Sequence, residues 1–294
     1  MPRISDLVIR SAQKLQPLYP AKEARVLAYQ LLQHYSGLSR AQLYACSGQE
    51  LSHNLVEKIE AGIDGLLASK PLQYIIGEAE FCGLPFMVNE SVLIPRPETE
   101  ELVQLAVQTL RTLQHKSEPV KALDLCTGSG CIAVSVAAQL PAVPVAACDV
   151  SREALEVAQI NAQRHHTQID FFSYDILQQQ EVLAAHLAPA SVQAILSNPP
   201  YVRRSEQALM QPNVLRYEPH LALFVDDDDP LVFYRAIASV ARQYLAPAGF
   251  VLVEINEALA EATAEVFRAA GFFNIQIKKD LNDKNRFVMA SCAF

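Results

Sequence analysis

Residues 122–134 read ALDLCTGSGCIAV. An apolar run ends in a short loop, D-x-C-T-G-S-G, and a second apolar run leaves it. This order predicts a buried strand, a tight turn and a helix. Gly128 and Gly130 permit the turn and let the backbone approach a ligand closely. A strand, a glycine loop and a helix in that order make a nucleotide site. The spacing is not G-x-G-x-x-G, however, and no Lys-Ser/Thr pair follows as in a phosphate loop. The start of the helix suits an anion, and a carboxylate serves there as well as a pyrophosphate.

Strands and helices alternate outward from this stretch. Apolar runs predict strands at 120–126, 143–149, 169–174, 192–197, 249–255, 272–279 and 286–292. Helical periodicity falls between them at about 130–140, 151–165, 178–187, 230–245 and 257–270. Only DLNDKN, residues 280–285, joins the last two strands. That is too short for a parallel crossover, so they pair antiparallel. The expectation is an α/β fold with a seven-stranded, doubly wound, mostly parallel sheet whose last strand is reversed.

Residues 1–72 carry no strand signal. PAKEARVLAYQLLQHYSG (20–37) spaces Val26, Leu27, Leu31 and Tyr35 for a helix, with Gly37 as its stop. Ser39 and Gln42 have capping-box spacing. A small helical bundle is expected here. Residues 73–97 break the pattern. AEFCGLPFMVN (79–89) predicts a β-hairpin with Gly83 near its turn. Pro95-Arg96-Pro97 is extended and stiff, and Thr99 is expected to cap the following helix. Residues 98–294 form the catalytic domain.

The 294 residues are about half hydrophobic and carry a formal charge of −8. Such a chain has no general attraction for nucleic acid. Its six cysteines lie scattered without a Cys-x-x-Cys pair, which argues against zinc and against a disulfide framework. No signal-peptide pattern and no bilayer-length apolar run is found, so a soluble cytoplasmic protein is expected. The one charge run, Asp226 to Asp229, reads as a solvated loop, and no metal is expected.

Asp149 ends the second sheet strand, about twenty residues past the loop, the spacing of a carboxylate that grips ribose hydroxyls. Asp175 ends the third, where it can accept from an adenine amino group with Ile176 against the ring. LSNPPYVRRS (196–205) ends the fourth. An amide-type nitrogen is a poor nucleophile because its lone pair is delocalised. Two acceptors on its N–H bonds would orient it and draw its charge outward. The side-chain oxygen of Asn198 and the carbonyl of Pro199 supply such a pair. Pro200 restricts Pro199 to extended angles, and Tyr201 offers an aromatic face.

Asn198-Pro199-Pro200-Tyr201 after this type of glycine loop resembles the methyltransferases that act on planar amino groups. VLIPRPETE (92–100) narrows the likeness to the PrmC/HemK family, the bacterial enzymes that methylate a glutamine of peptide chain release factors. The resemblance implies a class I fold and S-adenosylmethionine as donor. It also implies N5-methylation of the Gly-Gly-Gln glutamine of class-1 release factors 1 and 2, in translation termination. The donor site carried over comprises Thr127, Gly128, Ser129, Gly130, Asp149, Asp175, Ile176 and Asn198. Cys126 joins it, standing where the family usually has glycine, and Ile176 stands where an aromatic residue is common. The substrate amide is expected on Asn198 to Tyr201, with Asn198, Pro199 and Tyr201 acting in catalysis. RYEPHLAL (216–223), with Glu218, and NDKNRFVMA (282–290), with Arg286, shape the site or fold. The rival readings are a ribosomal protein L3 glutamine methyltransferase and a DNA or RNA exocyclic-amine methyltransferase. The acidic charge disfavours the latter. The expected working form is a monomer.

Overall fold

In a computed structural model, described over residues 1–114, 120–178 and 182–292, the chain divides into two compact units. Met1–Glu78 forms the first together with Gln211–Tyr217. The second comprises Ala79–Met210 and Glu218 onward.

The first unit holds α1 (Ile4–Leu15), α2 (Ala21–Ser36), α3 (Arg40–Ala45), α4 (His53–Leu67) and α5 (Leu72–Ile76). Their apolar stripes meet in one core around Leu7, Leu15, Leu31, Leu32, Ile59 and Ile63. The helix boundaries follow local chemistry. Gly37, at φ 69°, ends α2 in the left-handed conformation. Ser39 and Gln42 form a reciprocal capping box on α3, and Ser52 caps α4. The Tyr217 hydroxyl donates to the Ala68 carbonyl at 3.0 Å, which ties the 211–217 segment to this unit.

β1 (Glu78–Phe81) and β2 (Leu84–Met87) form the hairpin. Both turn residues, Cys82 (φ 51°) and Gly83 (φ 74°), are left-handed, as a two-residue primed turn requires. α6 (Pro97–Gln114) follows. Proline opens it, which suits a first helical position whose N–H has no partner. Thr99 therefore lies within the first turn, and its hydroxyl serves the site instead of capping the helix.

The sheet strands are β3 (Ala122–Leu125), β4 (Val145–Asp149), β5 (Ile169–Ser173) and β6 (Val192–Ser197), then β9 (Leu245–Glu254), β10 (Phe273–Lys279) and β11 (Asn285–Ser291). Two very short strands, β7 (Val202–Arg203) and β8 (Phe224–Val225), pair apart from it. The order is β10-β11-β9-β6-β3-β4-β5, and β11 runs antiparallel to both neighbours. This is the class I methyltransferase arrangement. The crossover helices are α7 (Cys131–Gln139), α8 (Arg152–Arg164), α9 (Leu183–His186), α11 (Val232–Tyr244) and α12 (Ala260–Ala269). α10 (Pro212–Tyr217) belongs with the first unit. The helix expected over 178–187 is reduced to α9, with 179–181 outside the described residues. The strand expected from 249 begins at Leu245.

Alternate strand residues serve opposite cores, as the two-residue period demands. Leu123, Leu125, Val251 and Val253 face α11 and α12. Ala122, Phe250 and Leu252 face α6 and α7, with Phe81 and Phe86 of the hairpin in the same cluster. Among the described residues no helix is long and apolar enough to cross a membrane.

Candidate active site

The carboxyl ends of β3, β4 and β6 open onto one cavity of about 350 Å³ within the second unit. Open parallel sheets place ligands at this edge, because the connecting loops diverge there. Cys126, Thr127, Gly128, Ser129, Asp149 and Asn198 line it, as do Asp175, Ile176 and Pro200. Gly130, Pro199 and Tyr201 are not among its lining residues.

The glycine loop contains three left-handed residues, Cys126 (φ 60°), Gly128 (φ 54°) and Gly130 (φ 77°). A Cβ on Gly128 would meet nothing within 4 Å, so this glycine keeps the cavity side open. A Cβ on Gly130 would lie 3.0 Å from the Ala158 Cβ, so this one lets α7 approach α8. Asn161 of α8 fixes the loop from below. Its Nδ2 donates to the Ser129 carbonyl at 2.9 Å and to the Met87 carbonyl at 3.0 Å. The Met87 N–H returns a bond of 2.7 Å to its Oδ1. One buried amide thus joins the hairpin, α8 and the loop.

Beneath the loop, Asp124 is buried. Its Oδ2 accepts from the Thr127 hydroxyl at 2.5 Å and from the Ala133 N–H at 3.2 Å. Its Oδ1 has no partner among the described residues. Burial pushes its carboxyl up to about 7, against the pull of those two donors. Burial likewise raises the Cys126 thiol, with Asp149 adding to it, so Cys126 is a neutral wall of the cavity.

Asp149 accepts from the Gly128 N–H at 2.8 Å and from the Ser151 N–H at 3.0 Å. These bonds fix the carboxylate plane and leave a second lone pair on each oxygen for ligand hydroxyls. Burial raises its pKa, and the backbone donors oppose the rise. Asp175 lies two residues past the end of β5 and accepts from the Leu177 N–H at 2.9 Å. Ile176 beside it is buried and offers the cavity an apolar surface.

Asn198 follows β6. Its Nδ2 donates to the Thr99 hydroxyl at 3.0 Å. That hydroxyl donates in turn to Glu254 Oε2 at 2.6 Å, and the Tyr201 hydroxyl donates to Glu254 Oε1 at 3.0 Å. Glu254, at the end of β9, is 1% exposed, and burial raises its carboxyl above the ordinary range. Burial, with Glu254 beside it, raises the Tyr201 phenol too. Tyr201 thus spends its hydroxyl on this network. The sequence reading expected Thr99 only as a helix cap and gave Glu254 no role. The only signal was a lone carboxylate closing the apolar run GFVLVE.

Arg96 and the Glu218-Pro219 pair meet at the same cavity. Arg96 Nη2 donates to Glu218 Oε1 at 2.6 Å, and the Ile94 N–H donates to Oε2 at 3.2 Å. One buried carboxylate therefore pins the extended 94–96 segment, while Arg96 and Pro219 form cavity wall. Arg286 donates from Nε to Asp280 Oδ2 at 3.0 Å in the β10–β11 turn, and its charge acts on Tyr201 and Glu254. In the acidic run, Asp226 pairs with Arg204, Asp227 accepts from Ser205 and Asp229 pairs with Arg235. Among the described residues no His, Cys, Asp and Glu group could hold a metal ion.

Two family models match the chain. The PrmC N-terminal domain covers residues 6–77, and the Methyltransferase small domain covers 103–216. A release factor glutamine methyltransferase of Flavobacterium psychrophilum is 41% identical over 277 residues, 94% of each chain. That of Bacteroides thetaiotaomicron is 38% identical over 95% of this chain and 96% of its own. Among solved structures, the hMettl16 catalytic domain aligns with a TM-score of 0.54 at 12% identity. It covers 83% of this chain and 82% of its own, a likeness of fold.

Proposed function

The chain belongs to the release factor glutamine methyltransferases, and from that premise we propose its reaction. It transfers the methyl group of S-adenosylmethionine to the side-chain amide nitrogen of the Gly-Gly-Gln glutamine in release factors 1 and 2. The working form is a cytoplasmic monomer that binds no nucleic acid. The helical first unit recognises the protein substrate.

The residues present fit the donor. Gly128 leaves open space where any side chain would intrude. Asp149 is held by two backbone N–H groups with lone pairs to spare for ribose. Thr127, Gly128, Ser129 and Asp149 would hold the nucleoside and amino-acid arms, with Asp175 and Ile176 at the base. When bound, this donor supplies a methyl group on a positively charged sulfur.

The chain's own work falls on the glutamine amide. Its nitrogen is weakly nucleophilic, so orientation and charge withdrawal carry the catalysis. Asn198 Oδ1 accepts one N–H and the Pro199 carbonyl the other. Neither acceptor has to be a strong base, because the nitrogen acidifies as it gains the methyl and its proton leaves late. The observation that carries this reading is the Asn198 to Thr99 bond. It occupies the amide nitrogen of Asn198 and leaves the oxygen for substrate.

Incubation with labelled donor, purified release factors and ribosomal protein L3 tests the assignment. Label is expected on the release factors and is lost when the Gly-Gly-Gln glutamine is replaced. Label on L3 alone, or on neither, overturns it.

A further inference from the structure

We infer that Thr99 and Glu254 are positioning residues that fix which end of the Asn198 amide faces the substrate. The inference rests on the reading of Asn198 as the acceptor for the glutamine N–H. It adds how that acceptor keeps its sense.

An Asn side chain is close to symmetric in shape, and its two ends differ only in hydrogen-bond polarity. Turned by 180°, Asn198 would offer an N–H to the substrate N–H and repel it. Shape alone does not prevent that turn; the neighbours must. Thr99 Oγ1 touches both Asn198 Nδ2 and Glu254 Oε2, at 3.0 and 2.6 Å. A hydroxyl has one proton to donate. Thr99 and Tyr201 both donate to Glu254, one to each oxygen, so the single Thr99 proton is committed to that carboxyl group. Thr99 is then left with lone pairs alone for Asn198, and only the NH₂ end satisfies them. Glu254 is held to the same sense on its far side, where Tyr201 donates to Oε1 at 3.0 Å. Arg286 and Glu98 are the other charges acting on it. Polarity therefore passes from a buried carboxylate, through one hydroxyl, to the reacting end of the amide.

The placement of these groups argues against a purely structural role. Thr99 and Glu254 are 2% and 1% exposed, and Thr99 and Asn198 line the same cavity. Two apolar residues would fill the same space without a buried carboxylate to desolvate.

The test compares Thr99→Val, Thr99→Ala and Thr99→Ser in the full chain, with Asn198→Ala setting the floor. Without that hydroxyl either end of the amide meets an apolar surface unpaired, so the bias toward the productive end is lost and the side chain samples both. Thr99→Val and Thr99→Ala should therefore lower kcat by about 5- to 10-fold, from lost orientation and lost positioning, with donor Kd and release-factor KM within about threefold. Thr99→Ser, which keeps the hydroxyl, should recover kcat to within about threefold of wild type. An independent readout is hydrogen exchange of the Asn198 side-chain NH₂, followed by NMR with labelled asparagine. It should be slow in wild type and Thr99→Ser, and fast in Thr99→Val. Unchanged kcat in Thr99→Val and Thr99→Ala overturns the inference. So does a Thr99→Ser loss as deep as that of Thr99→Val, or a loss of donor binding that matches the loss of kcat. Absence of turnover in the wild type overturns the proposed function instead, and the exchange measurement still decides the orientation.

Discussion

Cys126 holds a backbone conformation that glycine adopts freely. At φ 60° its Cβ crowds the carbonyl, a cost of roughly 1–2 kcal/mol for an L-residue. Glycine would remove that strain but would add about 0.5–1 kcal/mol of unfolded-chain entropy. Cys126→Gly is therefore expected to leave stability unchanged or raise it by up to about 1 kcal/mol. Donor affinity should hold or tighten, since the side chain walls the cavity. Urea denaturation and calorimetric titration check both parts, and a marked weakening of donor binding would show that the thiol helps to hold the ligand. Asp124 gives a residue-scale pH effect. Burial raises its carboxyl to about 7, so the folded chain keeps a proton that the unfolded chain releases near pH 4. The stability this confers is complete below about pH 4 and is lost as the pH rises through about 7. Asp124→Asn removes that titration. The slope of unfolding free energy between about pH 5 and 7 should become flatter by up to about 1.4 kcal/mol per unit. Equal slopes in variant and wild type would mean that Asp124 is ionised throughout.

The glycine loop and its two flanking helices behave as one element with two separable duties. Gly130 and Gly128 both sit at positive φ, so alanine strains either position by about 1 kcal/mol or more. Their surroundings differ. Alanine at 130 would push its Cβ to 3.0 Å from Ala158 Cβ and 3.2 Å from Ala158 Cα, so α7 must shift from α8. Alanine at 128 meets open space on the cavity side. Gly130→Ala should therefore lose more stability, about 2–4 kcal/mol against about 1–2 for Gly128→Ala. Gly128→Ala should lose the larger share of its donor affinity for the stability it gives up. Thermal melts and donor titrations of the two variants side by side check the ordering, and equal stability losses would refute the packing role of Gly130. The loop was legible in sequence because its chemistry is local: strand, turn and helix start occupy thirteen consecutive residues. The 200–225 connection was not. Its elements are two to six residues long, and distant side chains hold them. Asn256 Nδ2 bonds the Tyr201 carbonyl at 3.3 Å and Glu206 Oε2 at 2.9 Å, and Arg204 reaches Asp226 at 2.7 Å. No short-range period records such contacts.

At the scale of the molecule, the seven strands and the antiparallel last one were readable, because each is an apolar run closed by turn residues and the last two are joined by a short link. The same logic pointed to Asp149, at the end of β4, and to Asp175 and Asn198, just past the ends of β5 and β6, and all three line the cavity. It missed Thr99 and Glu254, because they lie 155 positions apart and only the folded sheet brings them together. It also missed that Gln211–Tyr217 packs with the helical unit although the chain around it belongs to the catalytic unit. That division gives the last expectation. Every residue lining the cavity proposed to hold the donor lies within 91–233 and belongs to the second unit, as do Glu254 and the sheet beneath it. The second unit has its own two hydrophobic clusters, so a fragment of 79–294 should fold by itself. In that fragment 211–217 has lost the helices it packs on, and Glu218, which pins Arg96, adjoins its end. Donor affinity should therefore fall modestly, by about tenfold or less, a change of about 1.4 kcal/mol. Transfer to an intact release factor should fall much further, since the unit proposed to recognise that protein is gone. A short peptide carrying Gly-Gly-Gln separates the two losses: the fragment and the full chain should methylate it at comparable rates per bound donor. If the fragment binds donor yet leaves the peptide unmodified while the full chain methylates it, the helical unit contributes to the chemistry itself, and the assignment of recognition to one unit and catalysis to the other fails.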